Sequence, residues 1–325
     1  MPPQPIPTAP SYEAIDIEGF DPDALATSVK NASMEIRVLR GGALLEATLR
    51  RLSFRDATLE SGRLSLPVLS QGSMPKDQIC LGFTLDGQGP GNLNGQEVLP
   101  GSVRFFAEGA ELTYRTAPSV NWTTFHVDRE VLQREANAVL GRPLPLPDRG
   151  WLNMVPTAAG IPLGQCIRDV LSVGSHGTAA LTADSAYFRS ALLAAYVRTL
   201  SEGLQLDLRP LQRRAAGRIR TVRRARDYLV ANLDEPFNMA RLCEITAMTE
   251  RTLQYAFRDV YGLSPHAWFQ TMRLNEVHRE LRARAPGDAR IAEIAMRWGF
   301  THLGRFSTGY RRLFGERPSE TLARH

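Results

Sequence analysis

Apolar and polar residues alternate along most of the segment between residues 34 and 127. Apolar side chains occupy every second position in Met34–Val38, Leu45–Leu49 and Ile79–Leu85, which is the period expected of strands with one buried face. Glycine-containing pairs separate these runs, at Gly41-Gly42, Asn94-Gly95, Pro100-Gly101 and Glu108-Gly109. Such pairs favour tight connections between strands, so the pattern predicts a compact antiparallel barrel or sandwich.

Helical spacing replaces this alternation after residue 127. Asp128 stands at the N-cap position of a predicted helix that ends before Gly141, and a stiff proline-rich connector, Arg142–Pro147, follows. Further helices are predicted over about residues 163–173 and 183–202. The last of them has an apolar side, formed by Phe188, Leu192, Ala195, Tyr196 and Thr199. This side fits two arrangements equally well: a seam between two copies of the chain, or a helix packed on its own sheet.

The last third of the chain carries one pattern twice: a short helix, a tight turn, a second helix, and then a glycine followed by a proline. In the first copy Thr249 is a good N-cap for the second helix, Leu253 and Phe257 share one face of it, and Gly262 supplies a left-handed stop. In the second copy Phe306, Tyr310, Leu313 and Gly315 repeat this arrangement. The layout predicts two helix-turn-helix units, at about 238–262 and 289–315, whose second helices enter the DNA major groove.

A further helix is predicted to join the two units as a rigid spacer. It begins at Ser264-Pro265, where serine is the cap and proline stands in the first turn, and it runs to about Arg284. Pro286-Gly287-Asp288 then breaks the helix, and Asp288 is expected to cap the next one.

Four short motifs in the second unit carry a family resemblance. They are Ile-Ala-Glu-Ile-Ala at 291–295, Trp-Gly-Phe-Thr-His at 298–302, Arg-Phe-Ser at 305–307 and Phe-Gly-Glu-Arg-Pro at 314–318. Together with the first unit they make the segment from about Arg218 to Ala323 resemble the DNA-binding domain of the AraC/XylS family of bacterial transcription regulators. Residues 310–315 and 318–322 look most similar to the branch that regulates ethanolamine operons.

The resemblance implies a sequence-specific transcription regulator, more commonly an activator, whose partners are double-stranded promoter DNA and RNA polymerase. Regulators of this type often carry a cupin-like barrel before the DNA-binding domain. The expected fold class is therefore α+β: an N-terminal antiparallel β-barrel or cupin-like regulatory domain with helices, followed by an all-α tandem helix-turn-helix domain. The predicted boundaries are a disordered tail at 1–14, a regulatory and dimerisation domain at 15–203, a linker at 204–217 and the DNA-binding domain at 218–325.

The exposed face of each recognition helix is expected to contact DNA. The resemblance implies base contacts by Arg251, Gln254 and Tyr255, since arginine pairs with guanine and glutamine with adenine; in the second unit Arg305 is the expected reader. The full set of predicted DNA-contacting residues is Thr249, Glu250, Arg251, Gln254, Tyr255, Arg258, Leu303, Arg305, Ser307 and Thr308. The alternative for each of them is a solvated helix surface.

Charge is segregated along the chain. Residues 209–325 contain 22 arginines, no lysine and 12 acidic residues, a net charge of +10, whereas residues 1–208 contain 17 basic and 22 acidic residues, a net charge of −5. A basic segment joined to a mildly acidic one is typical of a DNA-binding module attached to a regulatory domain. Arg223 and Arg224, in the arginine-rich approach to the first unit, are predicted phosphate contacts; a solvated charged face is the alternative.

The remaining chemistry argues against an enzyme. The first 208 residues contain only His126 and His176, too few for a cupin-type metal site, so no catalytic site, metal ion or cofactor is expected. Cys80, Cys166 and Cys243 are isolated and fit a reducing cytoplasm. The start of the chain lacks the features of a signal peptide and no apolar run reaches membrane-spanning length, so we expect a soluble cytoplasmic protein without a membrane partner.

Three functions are compatible with these patterns. The first is a transcription regulator whose barrel binds a small-molecule effector, with Phe83, Phe105 and Trp122 as candidate pocket residues or, alternatively, core. The second is a DNA-binding regulator whose N-terminal half serves only dimerisation or protein interaction. The third, an enzyme fused to a DNA-binding domain, is disfavoured. The first is the expected one, and a homodimer would place its recognition helices on two half-sites.

Overall fold

The computed structural model describes residues 10–18, 26, 33–41, 46–176, 178–206, 209–284 and 290–323. Twelve strands lie in these ranges, all in the N-terminal half. They are β1 Ser11–Glu18, β2 Ser33–Val38, β3 Glu46–Ser53, β4 Ala57–Leu64, β5 Val68–Ser73, β6 Ile79–Asp86, β7 Gly91–Leu93, β8 Gln96–Val98, β9 Val103–Phe106, β10 Glu111–Arg115, β11 Val120–Val127 and β12 Trp151–Met154.

The strands form two antiparallel sheets. One has seven strands in the order β1-β3-β4-β11-β6-β9-β12, and the other has five in the order β2-β5-β10-β7-β8. The sheets lie face to face, because apolar clusters between them combine Ile36 and Val68 of the smaller sheet with Ala47 and Leu64 of the larger. The outer strands of the two sheets are not paired with each other in the described ranges, so no closed barrel forms, and of the two predicted arrangements the structure has the open, sandwich-like one.

Turn chemistry explains the tightest connection. Asn94 and Gly95 both have positive φ, 48° and 80°, and they join β7 to β8 as the sequence predicts; such a turn requires left-handed backbone at both central positions. Gly101 and Gly109 also adopt positive φ at their predicted turns. Gly42 and Leu45, the other predicted turn and strand residues of this region, lie outside the described residues.

Ten helices complete the described ranges. They are α1 Arg129–Leu140, α2 Gly160–Ser175, α3 Thr178–Gln205, α4 Arg209–Ala231, α5 Met239–Thr246, α6 Glu250–Tyr261, α7 Pro265–Arg282, α8 Ile291–Arg297, α9 Leu303–Phe314 and α10 Pro318–Ala323.

Helices α1 to α3 cover the outer face of the larger sheet. The Tyr196 ring stacks on Phe125 of β11 with 5.4 Å between ring centroids, and Leu192 and Tyr196 are fully buried in the chain. Phe188 and Ala195 pack against the same core. The apolar side of α3, predicted to be either a dimer seam or intramolecular packing, is therefore occupied by the chain's own sheet, which leaves Leu192 and Tyr196 inaccessible to a second copy.

Regular elements occupy parts of the predicted tail and of the predicted linker. Residues 11–14, predicted as part of a disordered tail, belong to β1, which pairs with β3 from Ser11 opposite Ser53 to Glu18 opposite Glu46. Residues 209–217, predicted as linker, form the start of α4; Pro210 stands in the first turn, where proline is well tolerated. Residues 1–9 and 207–208 lie outside the described ranges.

Asp128 occupies the predicted N-cap position of α1 without making the capping hydrogen bond. Its carboxylate instead accepts a hydrogen bond from Gln78 Nε2 at 3.3 Å. The helix ends, as predicted, at Gly141 with a left-handed φ of 69°. The predicted helix break at 286–288, including the expected cap Asp288, lies outside the described residues.

Candidate nucleic-acid interface

The first helix-turn-helix unit is built from α5 and α6. The Asn238 side chain accepts the Arg241 N–H at 3.0 Å and so caps α5, and Ala247 makes the turn with a φ of 54°. Thr249 caps α6 as predicted, since its hydroxyl accepts the Thr252 N–H at 3.3 Å. Gly262 ends α6 in the left-handed conformation. Local capping chemistry therefore fixes both ends of the predicted recognition helix.

One face of α6 is buried and the other is open to solvent. Leu253, Phe257 and Val260 are at most 1% exposed, and they fix which side of the helix faces outward. The predicted contact residues lie on the opposite side: Thr249, Glu250, Arg251, Tyr255 and Arg258 are exposed, and Gln254 is half-buried. This sidedness leaves polar and cationic groups on a surface of the size and shape that the major groove accepts.

Two contacts organise this outward face. The Arg251 guanidinium lies 5.6 Å from the centre of the Tyr255 ring, a cation–π geometry that holds both side chains on one side of the helix. Gln254 Nε2 donates to Glu250 Oε1 at 2.9 Å. The exposed Arg251 side chain has no hydrogen bond or ion pair among the described residues, whereas Gln254 has to give up its hydrogen bond to Glu250 in order to contact a base.

The second unit repeats this geometry in α8 and α9. Gly299 makes the turn with a φ of 75°, and α9 ends at the left-handed Gly315. Phe306 and Tyr310 are buried, while the predicted contact residues Leu303, Arg305, Ser307 and Thr308 are all exposed. The Thr308 hydroxyl donates to the Gly304 carbonyl at 2.9 Å, which leaves Arg305 as the cationic group on the first turn of this helix.

An open groove beside α9 was not predicted from the sequence. It has a volume of about 770 Å³ and is lined by Ser307, Thr308, Arg311, Arg312 and Arg317, among others. The three arginines are exposed, and within the described part of the chain their side chains form no ion pair. The sequence signal was a spacing of four residues, from Ser307 to Arg311 and from Thr308 to Arg312, which places each arginine one turn after a predicted contact residue on the same side of the helix.

The connecting helix α7 holds the two units together through Arg273. This buried side chain donates from Nε to the Leu233 carbonyl at 2.5 Å and from Nη2 to the Glu235 carbonyl at 2.6 Å, both in the loop before α5. Its guanidinium also lies beneath the turn of the second unit, since a Cβ on Gly299 would lie 2.6 Å from it. One residue therefore contacts both units, and any side chain at position 299 would displace it.

Comparison with known proteins agrees with this geometry. A family model described as a helix-turn-helix domain matches residues 242–324. A probable thc operon regulatory protein of Rhodococcus erythropolis is 36% identical over 101 residues, which are 31% of this chain and 30% of that protein. A probable AraC family transcriptional regulator from Rhodopseudomonas palustris, known as a crystal structure, is 34% identical across 32% of this chain and 94% of that one, with a TM-score of 0.30. The chain belongs to the AraC/XylS family of transcriptional regulators.

The family resemblance predicted from the motifs is thus confirmed, and the AraC/XylS family is a family of DNA-binding regulators and not of enzymes. A XylDLEGF operon transcriptional activator of Pseudomonas putida is a further relative, 35% identical over 95 residues, 29% of this chain. The chain covers about 30% of the length of each of these two curated operon regulators. No helix in the described ranges is both long and apolar enough to span a bilayer.

In this AraC/XylS regulator the N-terminal half is docked on the connecting helix. The carboxamide of Asn275 accepts the Val38 N–H at 3.0 Å and donates to the Val38 carbonyl at 3.1 Å. Next to it, Arg37 Nη2 lies 2.9 Å from Glu276 Oε1, and both side chains are buried. Leu39 belongs to the apolar core of the first unit and Val38 to that of the second. The end of β2 is therefore an integral part of both units' packing.

The two predicted phosphate contacts, Arg223 and Arg224, have different surroundings in the structure. Arg224 is exposed on α4. Arg223 instead faces the N-terminal half, where its Nη2 donates to Asn94 Oδ1 at 2.8 Å and its Nη1 lies 3.7 Å from Glu111 Oε2. Arg223 thus supports docking in this conformation and is not directed to solvent. The sequence alone does not show this difference, because both arginines belong to the same arginine-rich segment.

A cavity of about 100 Å³ lies between the two sheets. Its walls are mostly apolar and come from both sheets, and its lining includes Met34, Ile36, Arg104, Phe106, Leu112, Tyr114, Trp122 and His126. Of the three predicted pocket residues, Trp122 lines the cavity. Phe83 and Phe105 lie in the core on the helix-covered face of the larger sheet, so the structure does not bring them together with Trp122.

Proposed function

We propose that this chain is a sequence-specific transcription activator controlled by a small molecule that binds between the two sheets. The observation that carries the proposal is the double role of β2. Met34 and Ile36 on this strand line the cavity, while Arg37 and Val38 contact the connecting helix α7. Successive residues of a strand point to opposite faces, so the Arg37 side chain is directed away from the cavity, and Val38 contacts α7 through its backbone N–H and carbonyl. One six-residue strand therefore joins the effector cavity to the DNA-binding units.

The DNA-reading part of the proposal rests on the outward faces of α6 and α9. Arg251 and Arg305 stand on the first turns of the two recognition helices, where helix-turn-helix proteins contact base edges. Further cationic groups for phosphates come from Arg311 and Arg312 on α9, from Arg317 just after it, and from Arg224. Phosphate neutralisation provides most of the affinity and base contacts provide the sequence discrimination. Two units on one face are expected to read successive major grooves, about 34 Å apart.

The regulatory part rests on how β2 is held. An occupant of the cavity contacts Met34 and Ile36 and so favours one position of the strand. A shift of the strand changes the hydrogen bonds of Val38 to Asn275 and the ion pair of Arg37 with Glu276. A ligand changes the equilibrium only if it binds the two arrangements differently. We infer that the docked arrangement and a released arrangement differ in DNA affinity, and that the effector selects between them.

Partners follow from the family and from its named relatives. The XylDLEGF regulator is described as an operon activator, which supports activation through RNA polymerase at a promoter in the cytoplasm. A homodimer would read two such double sites, but the apolar side of α3 is already occupied, so any dimer surface lies elsewhere.

The test measures binding of the full chain to the DNA upstream of its own gene, with and without a metabolite panel, by fluorescence anisotropy. We expect at least one compound to change the DNA affinity, and Asn275→Ala to reduce that change because it weakens the link between β2 and α7. Thr271→Ala is the matched control, since the Thr271 hydroxyl bonds only within its own helix, to the Ala267 carbonyl. Specific DNA binding that no small molecule alters would instead favour an N-terminal half that serves protein interaction.

A further inference from the structure

The cavity contains a charged group where a sandwich normally has an apolar one. On β9, Val103 and Phe105 face the helix-covered core, and Arg104 and Phe106 face the cavity. Arg104 is only 4% exposed. Its Nη1 donates to Thr84 Oγ1 at 2.7 Å, and its guanidinium lies 5.6 Å from the centre of the Tyr114 ring. Arg104 therefore places a positive charge at an inward-facing strand position that an apolar side chain normally occupies.

Arg104 has no anionic partner in the described part of the chain. Buried charges in proteins are normally paired, because an isolated one is costly to remove from water. The cavity also contains a polar atom in need of a partner: the Tyr114 hydroxyl is buried and accepts or donates no hydrogen bond among the described residues. A cation and a free hydroxyl at one wall of an apolar cavity match the two needs of a carboxylate.

The other ionisable groups near this wall contact one another or a neighbouring hydroxyl, and not Arg104. Glu60 is fully buried and lies 2.7 Å from Arg51 Nη2, with a second hydrogen bond from Arg51 Nε at 2.8 Å. His126 has its Nε2 3.2 Å from the Thr124 hydroxyl, and burial lowers its pKa, which keeps the ring neutral near pH 7. Arg51 also pairs with Glu13, at 2.5 Å from Nη1 to Oε2. Among the described residues, Arg104 is left without a carboxylate at ion-pair distance.

The size of the cavity limits the occupant. Its volume is about 100 Å³, whereas an apolar cavity of about 150 Å³ in another protein holds benzene. The walls away from Arg104 are mostly apolar and include Ile36, Leu112 and Trp122, with a few hydroxyl groups and His126 between them. A short branched chain matches this part, whereas a single ring enters only if the lining side chains move apart. A longer chain or a sugar with many hydroxyl groups does not match it.

We propose that the effector is a small apolar carboxylic acid, whose carboxylate pairs with Arg104 and accepts a hydrogen bond from Tyr114 while its apolar part lies against Ile36 and Trp122. This inference rests on the proposed function, because it names the class of molecule that the regulatory cavity binds. The carboxylate supplies the ion-pair partner that Arg104 lacks, and the short apolar group lies against the remaining, mostly apolar walls.

The test titrates the full chain by calorimetry with butyrate and benzoate, with the neutral amides butyramide and benzamide, and with benzylamine as the cation. We expect at least one acid to bind about 10- to 100-fold more tightly than its amide, the ratio that hydrogen bonds to a charged group contribute. Arg104→Gln should remove this preference and Arg104→Lys should retain part of it. Ile36→Phe, which fills the cavity, should weaken every ligand alike.

Each result separates this inference from the proposed function. If an amide or benzylamine binds better than the acids and changes DNA affinity, the acidic class is wrong and effector control stands. If the acids bind equally well to Arg104→Gln, Arg104 is not their partner and the inference fails. Should that variant not fold, the acid-to-amide ratio of the unmodified chain and the behaviour of Arg104→Lys decide. Specific DNA binding with no response to any of the compounds counts against both proposals.

Discussion

The carboxamide of Asn275 pairs with both backbone polar groups of Val38. Val38 ends β2, which is the outer strand of the smaller sheet and has only β5 as a strand neighbour. At this point the helix that joins the two DNA-binding units takes the place that a further strand would have. The ion pair of Arg37 with Glu276 lies one residue away on both elements, so the contact is a local and specific one, which substitutions can test.

Asn275→Ala should destabilise the docked chain. It leaves the Val38 N–H and carbonyl buried without partners, and each unsatisfied group costs about 1–3 kcal/mol. Urea denaturation of the full chain measures the loss, and amide exchange at β2 locates it. The control Thr271→Ala removes a hydroxyl on the same helix without touching β2. An equal loss in the two variants would show that Asn275 acts through its own helix and not through docking.

Gly41→Ala should separate the end of the β2 segment from the second DNA-binding unit. A Cβ at this position would lie 2.0 Å from the Leu313 carbonyl oxygen at the end of α9, a backbone atom that cannot rotate away as a flexible side chain can. We expect a looser chain, detected as faster proteolysis between residues 206 and 219 and a larger radius in small-angle scattering. Gly304→Ala is the control, because its Cβ would meet nothing within 4 Å and alanine favours helix. Unchanged proteolysis in Gly41→Ala would contradict the docked arrangement.

Arg251→Ala should relax the base preference at one operator position and cost about 1–3 kcal/mol on the preferred sequence. The reason is that Arg251 presents its guanidinium on the open face of α6, next to Tyr255. Binding to a set of operators that vary one base pair at a time measures the effect. Arg241→Ala on the supporting helix, where Arg241 pairs with Glu244, provides the comparison. Equal weakening on every sequence would make Arg251 a phosphate contact instead of a base reader.

Arg224→Ala and Arg223→Ala should behave differently although the residues are neighbours. Arg224 is exposed, and its loss is expected to lower the slope of log affinity against log salt by about 1. Arg223 is engaged with Asn94 and Glu111, so its loss should change stability and ligand response more than the salt slope. Affinity titrations over a range of salt concentrations distinguish the two. Identical salt slopes in both variants would favour the sequence-based assignment of both as phosphate contacts.

Acid should destabilise the sandwich through His126. Burial lowers the pKa of this ring below the 6.5 of an exposed histidine, with Glu60 opposing the shift and Arg51 supporting it. The unfolded chain therefore binds the proton more readily than the folded one. The stability that the neutral ring provides is present above pH 6.5 and is lost as the pH falls from 6.5 through the lower folded value. His126→Gln should flatten thermal melting between pH 7 and pH 5; an unchanged profile would assign the acid sensitivity to other groups.

The strongest local signals in the sequence predicted the DNA-binding units well. Helix caps and stops act within a few residues of the chain, so they can be recognised without knowledge of the fold. Examples are Thr249, Gly262, Ser264 and Gly315. Contacts between residues that are far apart in the chain cannot be recognised in this way. Phe83 and Phe105 belong to strands that are buried on both faces, and apolar alternation cannot say which face meets the cavity and which meets the helices. Arg104 was missed for the same reason: a single arginine in an apolar strand reads as a surface residue until the second sheet is in place.

Arg273 also has a consequence for where target promoters are to be sought. Because one buried guanidinium contacts both the loop at Leu233 and the turn at Gly299, the two recognition helices have little freedom to slide relative to each other. Insertion of one base pair moves the second half of an operator by about 3.4 Å along the duplex and turns it by about 35° around the axis. A regulator with this structure is expected to bind two short base sequences that are separated by a fixed number of base pairs. A genome search for its operators should hold that gap constant and let the bases in between vary freely.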